Sequence, residues 1–467
     1  MPAIHPASVS SSQNFHREAS RERPLRIALF TFSYAPFMTG IATGAHTRVK
    51  ALLSLGHEVF LIHPQADAQY AQDVHRRTMC GLEEFADNPR FTSATYPTKP
   101  HPFFRCHPEP RSHRHWSDTA LLERYQPEVI LVDEASGMRG FSSVFLGGYG
   151  RPIAAEYSAR TGVPAFHLFE TDWFAYAERY FGRWLTALSR PVLVPLVRRF
   201  NENYVSTFFP SRMLFDKYQN YGAVPSDYVP FHGVDCSQFH PGCQQHDPIP
   251  QDHRPTLLFV GRMAREKGIG ELFEVIQHVR KQIPEAQLVI VGGGGPDKER
   301  IRSAAAKHVP YCTFWGESFG DQLKGWYARA DVFVNPSATE NFCTTNLEAL
   351  ASGTPVVLAA AGGNLEQVEN GVNGYLVPPR DPVAMAARVV EILQSPTLRQ
   401  SMSQNAREFA LRFDVLECGR QLEAALRQRL PSRLLNMPSR AEPAFASSGH
   451  SPGGLVARAQ VSLAEIE

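Results

Sequence analysis

The sequence predicts two α/β domains, each built on a parallel sheet, that face each other across a cleft. Continuous apolar runs suited to buried parallel strands begin both halves of the chain, LRIALFTFSY at residues 25–34 and TLLFVGR at residues 256–262. In each half a loop and a helix with one apolar face follow the run. A polar, Pro-rich segment at residues 241–254 separates the halves. We therefore expect domains at residues 25–240 and 255–412, and the 467 residues suffice for two large cores.

Composition limits the class of protein further. The formal charge of +1 argues against a general nucleic-acid binder. Seven scattered cysteines without a C-x-x-C pair indicate a reducing compartment and no structural zinc. Residues 1–24 lack the apolar core of a secretory signal and are expected to be a disordered leader, as is the Ser/Pro/Gly-rich tail at 431–467. No run approaches the roughly 18 apolar residues of a membrane span, so we expect a soluble or membrane-surface enzyme.

The first domain opens with a strand, a loop, a helix and a second strand. The helix lies in AHTRVKALLSLGHEV, where Gly56 ends it and the apolar face is formed by Val49, Leu52, Leu53 and Leu55. The strand EVFLIHP follows. This order defines a βαβ unit with a parallel sheet, whose ligands bind at the carboxyl ends of the strands. Gly40, predicted to lie in the first loop, allows close approach of the backbone to a ligand.

Two later strands deliver acids to the same predicted edge. PEVILVDE ends in Asp133 and Glu134, and VPAFHLFETD ends in Glu170 and Asp172. We interpret these four acids as cleft residues on the acceptor side. Ordinary acids at the ends of loops remain the alternative.

A long loop at residues 99–116 carries four histidines, at positions 101, 107, 113 and 115. Their spacing matches no standard metal site, so we expect no bound metal and assign the loop to the acceptor side.

Residues 179–201, RYFGRWLTALSRPVLVPLVRRFN, combine five arginines with aromatic and aliphatic side chains and contain no acid. This composition favours an interfacial helix on an anionic membrane, although packing inside the domain is the alternative. Pro191 and Pro195 are predicted to break the helix.

The second domain repeats the pattern of strand, loop and helix. TLLFVGR is followed by a loop that holds Arg262 and Lys267, and GELFEVIQHVRKQIP forms the next helix. QLVIVGGGGPDKERI again runs from strand through glycine loop to helix, but its four glycines do not spell a dinucleotide fingerprint, which argues against a dehydrogenase. A final helix at 413–430 is predicted to pack back toward the first domain.

The stretch SATENFCTTNLEALASGTPVV, residues 337–357, is the strongest candidate for a ligand site. Thr345 and Glu348 fit a T-x-x-E capping box, so a helix is predicted to start near position 346 and to end at position 353. Its start frees the backbone N–H groups of residues 342–344, and such groups favour phosphate. Glu340 lies just outside and can meet a sugar hydroxyl. On spacing alone, Glu348 could be only a cap and Glu340 only an exposed loop acid.

These motifs together resemble family 4 of the retaining glycosyltransferases, which share the GT-B fold of two Rossmann-like domains. The resemblance spans residues 25–430 and rests on the segments FTFSYAPFMTG, HGVDCSQFHP, FVGRMAREKG, LVIVGGGGP, ADVFVNPSATENFCTTNLEALASGTPVV and GVNGYLVPPRD. Within the family the chain is most similar to lipid-directed members, such as sulfoquinovosyl-diacylglycerol synthases and mannosyltransferases, through FETDWFAYAERYF.

The resemblance implies a role for each matched residue. Glu340 contacts the donor-sugar hydroxyls, Glu348 the ribose hydroxyls, and Arg262 and Lys267 the diphosphate. Asp172 is counted with the catalytic residues. The remaining donor contacts are assigned to a set of backbone and small positions, namely Gly40, Gly261, Phe342, Cys343 and Thr344.

The implied reaction is transfer of a hexose, with retention, from a UDP-sugar or GDP-sugar, with uridine favoured, to a membrane glycolipid precursor such as diacylglycerol. No metal or other cofactor is expected, and the implied location is the cytoplasm, at the inner face of the membrane. Where many relatives carry His, this chain has Glu170, which favours a neutral, hydroxyl-rich sugar over a sulfonated one. A soluble enzyme that makes a small glycoside and a silent nucleotide-sugar-binding protein remain alternatives.

Overall fold

A computed structural model describes most of the chain between residues 22 and 436. The described residues are 22–31, 33–34, 40–65, 82–96, 98–99, 109–110, 119–133, 153–172, 174–175, 178, 182–221, 225–246, 254–308 and 310–436. Residues 1–21 of the predicted leader, residues 437–467 of the predicted tail, Glu134 and the four histidines of the 99–116 loop lie outside these ranges. The start of the predicted tail is ordered instead, because Ser432–Leu435 forms a short helix.

The first half of the chain forms a parallel sheet of seven strands in the order β3-β2-β1-β6-β7-β8-β9. Two further short strands, β4 and β5, pair as an antiparallel ribbon. In chain order the strands are Arg26–Thr31 (β1), Glu58–Pro64 (β2), Phe91–Tyr96 (β3), Thr98–Lys99 (β4), Glu109–Pro110 (β5), Val129–Asp133 (β6), Ala165–Leu168 (β7), Ser206–Phe209 (β8) and Ser226–Tyr228 (β9). The last strand ends at Tyr228, and residues 229–233 leave the sheet.

Helices cover this sheet. Those described in the first half are Gly40–Ser54 (α1), Ala120–Tyr125 (α2), Ile153–Thr161 (α3), Arg183–Asn201 (α4) and Arg212–Gln219 (α5), with a 3-10 turn at Leu82–Phe85. Three residues of the predicted apolar face of α1, Val49, Leu52 and Leu53, are buried against the sheet. Gly56 follows α1 with a φ of +93°, which a glycine adopts without strain.

Helix α4 runs without interruption through Pro191 and Pro195, so the predicted break is wrong. Each proline removes one intrahelical hydrogen bond, at a cost of about 3 kcal/mol in a helix interior. Val197 and Phe200 of the same helix are buried in the domain. We infer that this tertiary packing outweighs the loss of the two hydrogen bonds.

The second half forms a parallel sheet of six strands in the order β12-β11-β10-β13-β14-β15. The strands are Thr256–Val260 (β10), Gln287–Val291 (β11), Cys312–Gly316 (β12), Val332–Asn335 (β13), Val356–Ala359 (β14) and Gly374–Val377 (β15). The side chains of β10, β11, β13 and β14 are buried on both faces, in two clusters, which explains their continuous apolar sequences, whereas the edge strand β12 exposes Thr313 and Trp315.

Helices also flank the second sheet. They are Ile269–Arg280 (α6), Lys298–Ala306 (α7), Gly320–Arg329 (α8), Thr344–Ala351 (α9), Asn364–Gln367 (α10), Pro382–Gln394 (α11), Pro396–Leu411 (α12), Val415–Arg429 (α13) and Ser432–Leu435 (α14), with 3-10 turns at Pro241–His246 and Arg265–Lys267. None of the helices within the described residues is long and apolar enough to span a bilayer.

The two halves touch at several points. Helix α13 packs on α1 so closely that a Cβ on Gly419 would lie 2.7 Å from the Cβ of Ala51. The carboxylate of Glu366, on α10, accepts hydrogen bonds of 2.9 Å from the backbone N–H groups of Arg212 and Met213 at the start of α5. The second sheet and its loops are thereby held against the first domain.

Candidate functional site

The charged residues predicted for the donor site converge at one edge of the second sheet. Strands β10 and β13 are parallel neighbours, so the loops that follow them start side by side. The first loop carries Arg262 and Lys267, and the second carries Glu340. The ammonium group of Lys267 donates a hydrogen bond of 2.7 Å to Oε1 of Glu340.

Electrostatics keep this pair ionised. Burial alone would lower the pKa of Lys267, but the charge and hydrogen bond of Glu340 raise it above its usual value. Burial likewise favours a neutral Glu340, but Lys267 and then Arg262 lower the pKa of this carboxyl. Arg262 also contacts Glu266, with 3.2 Å between Nη2 and Oε1. Its charge acts on both members of the pair, so the structure brings Arg262, Lys267 and Glu340 together.

The N-terminus of α9 adjoins this charged group. Helix α9 begins at Thr344 with Cys343 as its extended N-cap residue, two residues before the predicted start. The predicted capping box is therefore wrong. Thr345 lies inside the first turn, where its hydroxyl contacts Sγ of Cys343 at 3.1 Å, and no side chain caps the helix. Among the described residues, no backbone carbonyl accepts from the N–H groups of Phe342, Cys343 and Thr344.

A buried amide network supports this loop and helix start. Asn346 donates to Asn364 at 2.9 Å and to Gln367 at 2.8 Å, and it accepts from Asn335 at 3.0 Å. Gln367 in turn donates to the carbonyl oxygen of Cys343 at 2.9 Å. All four amide side chains are almost completely buried. Because its amide groups are hydrogen-bonded, this network fixes the position of the N-cap. The sequence did not predict the network, because its members are ordinary polar residues spread over 33 positions.

Glu348 lies on α9, one turn beyond the helix start, and is half-buried. Its carboxylate accepts a hydrogen bond of 2.5 Å from the hydroxyl of Tyr327 rather than reaching back to a cap. Burial raises the pKa of Glu348 to about 7, and the Tyr327 hydroxyl opposes this rise.

Glycines shape the floor of the donor side. Gly261 donates to the carbonyl oxygen of Val291 at 3.1 Å, which joins the first loop to the glycine run after β11. A Cβ on Gly292, whose φ is +139°, would lie only 1.9 Å from the carbonyl oxygen of Gly261. The glycine run thus permits close packing of two loops. Gly40 is the first residue of α1 rather than a loop residue, and no atom of the described residues beyond its own helix lies within 4 Å of its Cβ position.

Two of the acceptor-side acids, Asp133 and Glu170, belong to a separate buried cluster in the first domain. The guanidinium group of Arg48 contacts both Asp133 and Glu170, at 2.7 Å in the case of Glu170. Nε2 of His232 lies 3.1 Å from the other oxygen of Glu170. We call Arg48, Asp133, Glu170 and His232 the first-domain quartet. The sequence did not single out Arg48 or His232, although His232 begins the segment HGVDCSQFHP that contributes to the resemblance.

Within the quartet the two acids differ. Burial raises the pKa of Asp133 well above its usual value, despite the charge of Arg48. Burial acts in the same direction on Glu170, but His232 and Arg48 together lower its pKa to about 2. The carboxylate of Glu170 contacts both Arg48 and His232, whereas Asp133 contacts Arg48, so Glu170 carries the negative charge.

The quartet touches the donor loop at the boundary between the domains. The side-chain amide of Asn341 donates to the carbonyl oxygen of Glu170 at 2.7 Å. The rings of His232 and Phe342 are nearly parallel, with centroids 6.0 Å apart. The donor-site residues of the second domain and the first-domain quartet therefore meet through residues 341 and 342.

Asp172, predicted to be catalytic, has described contacts only within the first domain. Its carboxylate accepts from Lys217 at 2.5 Å, from Tyr218 at 3.3 Å and from the N–H of Ala175 at 3.2 Å. These donors occupy both carboxylate oxygens, so the structure does not bring Asp172 to Glu340.

No group of three or more His, Cys, Asp or Glu side chains that could hold a metal ion occurs in the described part of the chain. Glu134 and the four histidines of the 99–116 loop lie outside it, so metal-free catalysis stays a prediction.

Comparisons with known proteins agree with this arrangement. Residues 244–409 match the family model described as Glycosyl transferases group 1. A GDP-mannose-dependent alpha-mannosyltransferase of Corynebacterium glutamicum is 28% identical over 362 residues, which cover 76% of this chain and 77% of that protein. An alpha-monoglucosyldiacylglycerol synthase of Acholeplasma laidlawii is 23% identical over 407 residues, with 82% of this chain and 92% of that protein covered.

A solved structure shows the same architecture. Anabaena HepE in complex with UDP and glucose matches with a TM-score of 0.63 at 17% identity, covering 86% of this chain and 99% of that one. The two parallel-sheet domains and this likeness confirm the predicted GT-B fold. The family match assigns residues 244–409 to a Glycosyl transferases group 1 domain, and the relatives that are similar over most of the chain are named as glycosyltransferases.

Proposed function

We propose that this chain transfers a hexose from a nucleotide diphosphate sugar to a hydroxyl acceptor and retains the anomeric configuration. The observation that carries this proposal is the convergence of Lys267, Arg262 and Glu340 beside the N-terminus of α9. Two cations and a helix N-terminus suit a diphosphate. Glu340 uses one of the three donors of Lys267, so the ammonium group keeps donors for phosphate oxygens.

In this reaction the acceptor hydroxyl attacks the anomeric carbon on the face from which the diphosphate leaves. The new C–O bond forms as the bond to the diphosphate breaks, and an oxygen of the diphosphate takes the proton of the hydroxyl. Lys267 and Arg262 stabilise the charge that develops on the leaving group, so we expect transfer to persist in EDTA. Glu340 holds the sugar through its hydroxyls.

Measurement of nucleotide release tests the proposal. The chain is incubated with UDP-sugars and GDP-sugars and with diacylglycerol or a small polyol as acceptor. We expect Glu340→Gln and Lys267→Ala each to lower kcat/KM by roughly 10²- to 10³-fold, because each removes a charge that acts in the transition state. Lys281→Ala, which removes an exposed lysine of the same domain, serves as the matched control. Absence of turnover with every donor, or full activity in both site variants, would contradict the proposal.

Uridine and guanosine are the two candidate nucleosides of the donor. The Corynebacterium relative is named for GDP-mannose, and the HepE structure holds UDP. Competition of UDP and GDP for the wild-type chain, measured by thermal shift, distinguishes them, since each nucleotide stabilises the fold according to its affinity.

For the acceptor we infer a lipid at an anionic membrane surface, which places the enzyme at the inner face of the membrane. The outward face of α4 carries Trp184, Leu188 and Val192, which are 88%, 77% and 58% exposed. These side chains are four residues apart and form one apolar stripe. Arginines flank it, with Arg183 at the start of the helix and Arg198 and Arg199 at its end. An apolar stripe between cations suits the interface of an anionic bilayer.

Vesicle sedimentation tests this surface. We expect the wild-type chain to sediment with vesicles that contain phosphatidylglycerol and to remain in the supernatant with pure phosphatidylcholine. Trp184→Ser with Leu188→Ser should abolish sedimentation, whereas Val383→Ser, at an exposed apolar position of the second domain, should not. Equal sedimentation of all forms, or none by the wild type, would favour a small-molecule acceptor instead.

A further inference from the structure

Tyr327 is a buried tyrosine whose hydroxyl reaches the donor side of the second domain. It belongs to α8 and is completely buried, yet its hydroxyl donates to Oε2 of Glu348 on α9 at 2.5 Å. In the described part of the chain no other side chain is hydrogen-bonded to Glu348. Tyr327 therefore restricts which oxygen of this carboxylate can meet a ligand.

The phenol is held in place from several directions. Its ring packs at 5.9 Å from the ring of Phe333 and at 5.7 Å from that of Phe239. The hydroxyl of Thr354 donates to its carbonyl oxygen at 2.5 Å. A side chain fixed in this way presents its hydroxyl at one position, and the cost of ordering it is met on folding rather than on ligand binding.

Glu348 is half-buried and Tyr327 engages its Oε2, so Oε1 is the carboxylate oxygen without a hydrogen bond among the described side chains. The Tyr327 hydrogen bond favours the ionised form, which burial disfavours. An ionised carboxylate accepts hydrogen bonds from hydroxyl groups and offers none.

We propose that Tyr327 is a positioning residue for the nucleotide, which fixes Oε2 of Glu348 so that Oε1 accepts from a ribose hydroxyl. This inference rests on the proposed function, in which Glu348 contacts the ribose. Tyr327 itself does not touch the donor. Its effect must therefore disappear when the ribose hydroxyl is absent.

Deoxyribose nucleotides test this dependence. Dissociation constants are measured for UDP and GDP and for their 2′-deoxy and 3′-deoxy forms, with the wild type, Tyr327→Phe and Glu348→Gln. We expect wild type to prefer the ribose form over one deoxy form, and Tyr327→Phe to weaken binding of the ribose form about tenfold without weakening that deoxy form. The KM for the donor sugar should rise by the same factor, with kcat unchanged.

A matched control is available in the same domain. The hydroxyl of Tyr375 donates to Glu391 at 2.6 Å, so Tyr375→Phe removes a similar bond from a different carboxylate. This variant should leave all dissociation constants unchanged.

The outcomes distinguish failure of the positioning role of Tyr327 from failure of the ribose contact of Glu348. If Tyr327→Phe weakens ribose and deoxyribose forms equally, or weakens neither, while Glu348→Gln removes the preference, the positioning role is wrong and the ribose contact stands. If the wild type shows no preference for ribose, or binds no nucleotide, both the positioning role and the proposed contact of Glu348 fail.

Discussion

The donor pair and the first-domain quartet are both clusters of opposite charges, but they differ in exposure. The side chain of Lys267 is 21% exposed and faces Glu340 at the edge of a loop. In the quartet, the side chains of Arg48 and Asp133 are 2% and 0% exposed. The donor pair can exchange a partner for a ligand. Among the described side chains, the charged groups of the quartet pair with one another in a buried position, where desolvation makes an unpaired charge costly.

This difference suggests a division of roles. Charges beside a cleft can be rearranged at little cost, so a change there should affect ligand binding more than stability. Charges sealed inside a domain should affect stability first. Atoms of the quartet without a hydrogen-bond partner, among them Oδ1 of Asp133 and Nη1 of Arg48, add to the cost of disturbing it.

The largest effect is expected for Arg48→Met. This change leaves Asp133 and Glu170 buried without their shared cation, and it should lower the free energy of unfolding by about 3–5 kcal/mol. Urea denaturation followed by circular dichroism measures the loss. Arg302→Met, at an exposed ion pair with Glu299, is the matched control and should change stability by less than about 0.5 kcal/mol.

A triple variant sharpens the Arg48 prediction. Asp133→Asn and Glu170→Gln, added to Arg48→Met, remove every charge on the acidic side and should recover part of the lost stability. A further loss in the triple variant would show that shape, and not charge, explains the effect of Arg48.

The second prediction compares the contributions of Glu170 and Asp133 to stability at different pH values. The folded pKa of Glu170 is lowered from 4.5 to about 2, so its contribution is present above pH 4.5 and is lost as the pH falls through 2. Glu170→Gln should therefore cost roughly 3 kcal/mol at pH 7. The folded pKa of Asp133 is raised, so its contribution is present below pH 3.8 and is lost as the pH rises through the folded pKa. Asp133→Asn should cost much less at pH 7.

Urea denaturation at pH 4 and pH 7 measures both effects. If Asp133→Asn costs more than Glu170→Gln at pH 7, the negative charge resides on Asp133 and the assignment within the quartet is reversed.

The donor pair and the first-domain quartet also differ in how far their contacts could be predicted from the sequence. Glu340 and Lys267 follow strands of one parallel sheet, and such strands deliver their loops to one edge, so their meeting could be predicted. Arg48 and Glu170 are 122 positions apart, and their contact depends on how α1 is rotated on its sheet. Periodicity identifies the apolar face of α1 but does not say which polar residue faces the next strand.

Local rules failed where tertiary contacts decided the outcome. The T-x-x-E pattern at Thr345 fits a capping box, but the amide network at Asn346 holds the chain so that the helix starts earlier. Pro191 and Pro195 usually interrupt a helix, but burial of the final turn maintains α4. Both errors came from treating a segment in isolation.

The smallest effect on stability is expected for Lys267→Met. Arg262 remains beside Glu340 and compensates part of its charge, and the Lys267 side chain that is lost is 21% exposed, so the free energy of unfolding should fall by about 1 kcal/mol. Ligand stabilisation should change far more. UDP or GDP at one hundred times its dissociation constant should stabilise the wild type by about 2.7 kcal/mol and stabilise Lys267→Met by almost nothing. Lys281→Met is the control, with unchanged stabilisation by nucleotide. A Lys267→Met variant that loses as much stability as Arg48→Met, and still responds to nucleotide, would mean that the donor pair is structural and that the two clusters do not differ in role.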